Sequence, residues 1–192
     1  MTNTRMNRFI ILRGPSGSGK TTIAKRLFSL TQYKTALIHQ DYYRFIFKPA
    51  GGGGLPNSDV IHSMIEHNCN CALTAGYDVI LEGILTVKAY SSLLDRIIAM
   101  HAGPSFMFYF NMSFDETARR HATRQSTSDF TVDDMRPWYA ASHRSNHHLE
   151  KLIPEHFTEE DTVDYICGET LIGCTSADHR FAIQQGDQAE QQ

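Results

Sequence analysis

Cysteine is scarce and poorly spaced for a structural role. The four cysteines of this 192-residue chain stand at 69, 71, 167 and 174. Cys69-Asn70-Cys71 lacks the two-residue spacer of a redox or zinc pair, and Cys167 and Cys174 are distant in sequence, which excludes a disulfide framework and a zinc knuckle. Free thiols in a reducing compartment are the reading that remains, so a cytoplasmic location is expected. Long hydrophobic runs are also missing. No stretch approaches the ~20 apolar residues of a membrane span, and residues 9–12 are too short for a signal-peptide core. No membrane partner is expected. Charge of one sign is lacking too: 18 Lys and Arg stand against 21 Asp and Glu, a net charge of -3. That excludes a broad basic surface for duplex nucleic acid, though not a small local group of arginines. Repeats and interdomain linkers are absent. Hydrophobic residues at 41% and charged residues at 20% are ordinary for a globular chain, and the length suits one α/β-sized domain.

What is present is an alternation of strand-like and helix-like segments. Residues 8–13 form a short apolar run of buried-strand type. A glycine-rich turn follows, then helical spacing over 22–30 with Ile23, Leu27 and Leu30 as the apolar stripe. A strand is expected at 35–39, then Asp41-Tyr-Tyr-Arg44 and a breaker-rich loop holding four glycines, Gly51 to Gly54. Asn57 or Ser58 can cap a helix over 59–75, with Gly76 at its C-terminal end. A third strand at 78–82 ends in Glu82-Gly83, and a helix over 87–100 and a strand over 105–111 follow. The segment 113–124 reads as a helix with Ser113 as cap and Asp115 and Glu116 in its first turn. Residues 125–135 are polar and suggest a mobile flap. Helical pattern resumes over 133–145, a weak strand lies at 149–153, and a closing helix begins at Thr158. This predicts an α/β fold, a parallel sheet covered on both faces. Residues 1–7 read as a tail, 8–170 as the domain with a lid at about 119–136, and 171–192 as a partly disordered segment.

Gly14-Pro15-Ser16-Gly17-Ser18-Gly19-Lys20-Thr21 is a complete P-loop, set between a strand and a helix. Its glycines let the backbone curl so that N–H groups point at phosphate oxygens, and the following helix adds its positive end. Lys20 is expected to bridge the β- and γ-phosphates, the Thr21 hydroxyl to ligate Mg²⁺, and Thr22 to donate to the α-phosphate. The chain has no Asp-x-x-Gly turn and no Asn/Thr-Lys-x-Asp segment, which excludes a GTPase. Its third strand ends in one acidic residue rather than two, unlike that of motors and helicases. Small transferases that move a γ-phosphoryl group remain.

Three features support that class. Asp41 follows the second strand, at the edge where a parallel sheet gathers its ligands, and a carboxylate there can accept the proton of an attacking hydroxyl. The alternative is that Asp41 caps a helix beginning at Tyr42. Arg44 would hold a polar or anionic part of the acceptor. Glu82, at the end of the third strand, would hold a water of the Mg²⁺ shell or bind an acceptor hydroxyl; capping the next segment is its alternative. Arg120 and Arg124, four residues apart, project from one helix face and would clamp nucleotide and phosphoryl group, or else form a solvated basic face. Arg119 points elsewhere and reads as a surface charge.

These residues resemble the P-loop kinases of the nucleoside-monophosphate-kinase-like group. The segment Leu81-Glu82-Gly83-Ile84-Leu85 with residues 117–124 is similar to an incompletely characterised bacterial kinase subfamily. Asp41 and Arg44 resemble the acceptor-side motif of polynucleotide 5′-hydroxyl kinase, zeta-type toxins and chloramphenicol phosphotransferase. The resemblance covers about residues 8–167. It implies a three-layer sandwich with a five-stranded parallel sheet, a small mobile lid, and ATP with Mg²⁺. It also implies Asp41 as the base. Arg44 and Arg96 are the only arginines in 42–96, which disfavours a nucleoside monophosphate as acceptor. A small-molecule hydroxyl is the expected acceptor; a polynucleotide 5′-hydroxyl, or ATP sensing without catalysis, is the alternative. Phe130, Trp138 and Tyr139 are candidates for an acceptor pocket or for core and hinge. His143, His147, His148 and His156 cluster without a third ligand at metal spacing.

Overall fold

The structure is a computed structural model that describes residues 5–47, 58–122, 131–141 and 143–172. Five parallel strands alternate with helices: β1 (Phe9–Arg13), α1 (Lys20–Leu30), β2 (Thr35–His39), α2 (Gln40–Phe45), α3 (Ser58–Thr74), β3 (Asp78–Gly83), α4 (Val87–Met100), β4 (Ser105–Asn111), α5 (Phe114–Ala122), α6 (Val132–Ala141), β5 (Glu150–Pro154) and α7 (Glu159–Thr170). The strands run in the order β2-β3-β1-β4-β5, the expected α/β architecture.

Strand β1 lies at the centre with all five residues buried, so its side chains alternate between two cores. Phe9 and Ile11 pack with α3 and α4, through Ile65, Cys69, Leu93 and Ile97. Ile10 and Leu12 pack with α1 and α7, through Ile23, Leu27, Val163 and Ile166. Cys69 is fully buried there, and burial pushes its thiol up to about 12, so this sulfur acts as a packing group. Cys69, Cys71 and Cys167 are free thiols, and Cys174 lies outside the described residues.

Local signals start α5 and α7 where their caps predict, whereas α6 ends at Ala141, short of the expected 145. Glu116 donates its backbone N–H to Ser113 Oγ at 3.2 Å. Thr158 and Asp161 exchange side-chain and backbone bonds in a capping box at the start of α7.

The short helix α2 was foreseen only as the alternative in which a helix begins at Tyr42 with Asp41 as its cap. It starts at Gln40, ahead of Tyr42, so Asp41 lies inside its first turn rather than at its cap. Gln40 anchors it: the buried side chain donates to Tyr90 Oη at 2.7 Å and accepts from Leu85 N at 3.1 Å. Gly83 leaves room for this clip, because a Cβ there would lie 2.5 Å from Gln40 Cβ. Register then sets the crest of the sheet. His39 pairs with Glu82, and Glu82 pairs with Leu12, so the ends of β2 and β3 stand level with the start of the P-loop. Among the described residues, no helix is long and apolar enough to cross a membrane.

Candidate active site

The loop from Gly14 to Gly19 curls between β1 and α1. Gly17 holds φ at 82°, and a Cβ on it would come within 2.8 Å of Thr117 O, so α5 rides directly on the loop. Gly19 is the N-cap of α1 and makes no side-chain cap bond, which leaves the first N–H groups of α1 turned toward the loop. Lys20 is buried and folds back over it, with Nζ donating to Pro15 O at 2.7 Å and to Ser18 Oγ at 3.2 Å. Thr21 and Thr22 follow in the first turn of α1.

Glu82 meets this cradle from β3. Its side chain is buried, and Oε1 accepts from the Thr21 hydroxyl at 3.1 Å and from His39 Nδ1 at 2.7 Å. The hydroxyl and carboxylate oxygens, set beside the start of α1, are hard donors of the type that suits Mg²⁺ together with phosphate. His39 had no expected role. The signal was a polar residue at the very end of a strand, but its partner depends on β2 lying beside β3.

On the other flank a cleft of about 360 Å³ is lined by the loop, Thr22, Arg119, Arg120, Phe157 and Thr158. Arg120 donates Nη1 to Ser18 O at 3.1 Å and Nε to Glu116 Oε1 at 2.6 Å. Arg119, expected as a surface charge, is exposed yet lines the same cleft and binds Glu116 through two bonds of 2.7 Å. Hydrogen bonding from Arg119, then from Arg120, holds the Glu116 carboxyl down at about 2. Glu116 was read from the sequence only as a first-turn acid of the helix, although its i,i+3 and i,i+4 spacing to the two arginines is a readable signal.

Asp41 and Arg44 lie on α2, immediately after His39. The Asp41 side chain is 61% exposed and accepts from Arg44 Nη1 at 3.4 Å. Arg124, Phe130 and the glycines 51–54 lie outside the described residues. Tyr139 packs edge-on to Phe114 and donates to Met112 O at 3.0 Å, a core contact that ties α6 to α5. Trp138 is half-buried. His147 stacks on His148 and lies 3.5 Å from Asp95, and the described residues hold no group of three metal-ligating side chains.

One fully buried arginine was also missed. Arg13, the last residue of β1, donates to Leu85 O, His143 O and Glu150 Oε1, and so fastens the loop's entry to the segments after β3 and before β5.

A family model described as an AAA domain, AAA_33, matches residues 9–153. The chain belongs to this AAA domain family. Within it, the chain is a P-loop kinase-like domain of α/β fold. The gluconokinase from Sinorhizobium meliloti 1021 is similar at a TM-score of 0.62 and 16% identity, over 96% of this chain and 98% of that one. The Mycobacterium tuberculosis APS kinase CysC, solved with AMPPNP and APS, is similar at 0.59 and 14%, over 84% and 95%. The Pnkp1/Rnl/Hen1 RNA repair complex holds a chain similar at 0.53 and 23%, over 73% of this chain and 45% of that one. At these identities the likeness is one of fold. No curated protein matches the sequence. Helix α7 of this AAA-domain chain lies beyond the matched residues, yet Thr158 and Glu159 at its start wall the cleft.

Proposed function

We propose that the chain is an ATP-dependent phosphotransferase that moves the γ-phosphoryl group of ATP to a hydroxyl of a small molecule. The observation that carries this reading is the Thr21–Glu82 contact at the head of the P-loop, with Arg120 on Ser18 O to one side and α2 to the other. In this reading the loop N–H groups and Lys20 hold the phosphates, and Thr22, Arg119 and Arg120 line the nucleotide cleft. Thr21 and Glu82 would hold Mg²⁺, which when bound supplies charge neutralisation at the phosphates.

Asp41 is the base. Its carboxylate takes the proton of the acceptor hydroxyl as that oxygen bonds to the γ-phosphorus. The bond from the γ-phosphorus to the β–γ bridging oxygen breaks, and ADP leaves. Arg44, paired with Asp41, orients the carboxylate and contacts the acceptor. Arg120 and Arg124 meet the charge on the transferring group. A cytoplasmic location accords with the free thiols.

The test is phosphoryl transfer from labelled ATP to a panel of small hydroxyl compounds and oligonucleotides. Asp41→Asn should lower turnover at least about 10²-fold with the fold intact. Transfer to oligonucleotide 5′ ends alone, with steep salt dependence, would replace the small-molecule acceptor. Tight ATP binding that no acceptor turns over would replace catalysis with sensing.

A further inference from the structure

The geometry points to His39 as the positioning residue of Glu82, the group that fixes which carboxylate oxygen faces the metal and nucleotide. This rests on the reading of Thr21 and Glu82 as the metal-side pair. The two strand ends are directly opposite in the β2–β3 register, and His39 Nδ1 lies 2.7 Å from Glu82 Oε1. A carboxylate only accepts, so Nδ1 carries the hydrogen. The Thr21 hydroxyl donates to that same oxygen at 3.1 Å. Both bonds fall on Oε1, one from α1 and one from the end of β2, so that oxygen is held in place and Oε2 is left to another partner.

The imidazole–carboxylate bond is mostly shielded, with 15% and 7% of the two side chains exposed, and shielding strengthens a hydrogen bond of this kind. The imidazole ring also lies against Tyr42, at 5.8 Å between centroids. His39 therefore joins the helix that carries Asp41 to the carboxylate beside the P-loop. Outer groups that orient a ligating carboxylate are worth roughly 10–100-fold in metal affinity or activity.

The experiment measures ATP affinity of the full chain by titration, once with Mg²⁺ and once with EDTA. The ratio of the two dissociation constants reads the metal coupling without any acceptor. His39→Ala should lower that ratio about tenfold while leaving the affinity in EDTA unchanged. His39→Asn, whose amide nitrogen occupies the place of Nδ1, should restore most of it. His39→Gln, whose nitrogen falls nearer Nε2, should not. Full coupling in His39→Ala, or equal behaviour of the Asn and Gln variants, overturns the proposal. If His39→Ala does not fold, the Asn–Gln contrast decides. A wild-type chain that binds ATP equally well in Mg²⁺ and EDTA overturns the metal-side reading itself, a result distinct from failure at His39.

Discussion

Strand β3 carries a buried carboxylate at each end, Asp78 where it begins and Glu82 near its close, and the two are partnered differently. Asp78 is fully buried and accepts from the Arg8 backbone N–H at 2.7 Å and from the guanidinium groups of Arg5 and Arg8. Burial still pushes its carboxyl above the usual range, against the pull of Arg5 beside it. Glu82 accepts from a hydroxyl and an imidazole. One end of the strand closes its charge within the fold. The other presents its carboxylate at the crest, beside the N-terminus of α1, where parallel sheets place their ligands. Burial alone does not distinguish a structural carboxylate from one set for chemistry; the identity of its partners does.

The comparison breaks most visibly at Asp78. Asp78→Ala leaves two guanidinium groups facing a vacated site, and should cost about 3–5 kcal/mol of stability in denaturant unfolding, with ATP affinity unchanged in the folded fraction. Glu82→Gln should behave the other way. Turnover should fall at least about 10²-fold, roughly 2.7 kcal/mol of barrier, while the unfolding midpoint stays near wild type. A collapse of stability in Glu82→Gln would make the two ends alike.

Gly83→Ala tests the support behind Glu82. Its Cβ would meet Gln40 Cβ at 2.5 Å, and the displaced clip should cost about 1–3 kcal/mol. Combining it with Gln40→Ala should give a loss smaller than the sum of the two.

The smallest effect is a pH dependence set by two histidines, His101 beside Asp78 and His62 beside Tyr90. Burial holds His101 below its ordinary value of 6.5, and His62, edge-on to Tyr90, is held down likewise. A depressed histidine favours the neutral ring in the folded state. That stability is present above pH 6.5 and is lost as pH falls through the folded-state value. Tm should therefore drop as pH is lowered from 7 through 6.5 into the acid range, and His101→Gln should flatten part of the drop. Asp78, with its raised carboxyl, acts with the opposite sign, adding stability as pH falls through its folded-state value.

Much of this was legible locally. The helix Val87–Met100 and the strand Ser105–Asn111 fall on the expected residues, because their periodicity and flanking breakers are short-range signals. The capping box at Thr158 and the bond to Ser113 Oγ are likewise contained within four residues. The start of helix α2 at Gln40 was not legible. Six residues are too few to nucleate a helix by propensity, and α2 is tied down by Gln40 reaching Tyr90 fifty positions away. Arg13 gave no warning either, since an arginine ending an apolar strand is buried only because Leu85, His143 and Glu150 converge on it.

At the site, the P-loop, the strand before it and the helix after it are encoded locally. Glycine spacing and the lysine-threonine pair encode that geometry within eight residues. Tertiary structure alone decided that β3 lies between β2 and β1, and hence that Glu82 meets both Thr21, 61 positions away, and His39, 43 positions away. Strand neighbours and register follow from packing two cores against opposite faces of the sheet, and no local pattern around Glu82 names the partners that this packing supplies.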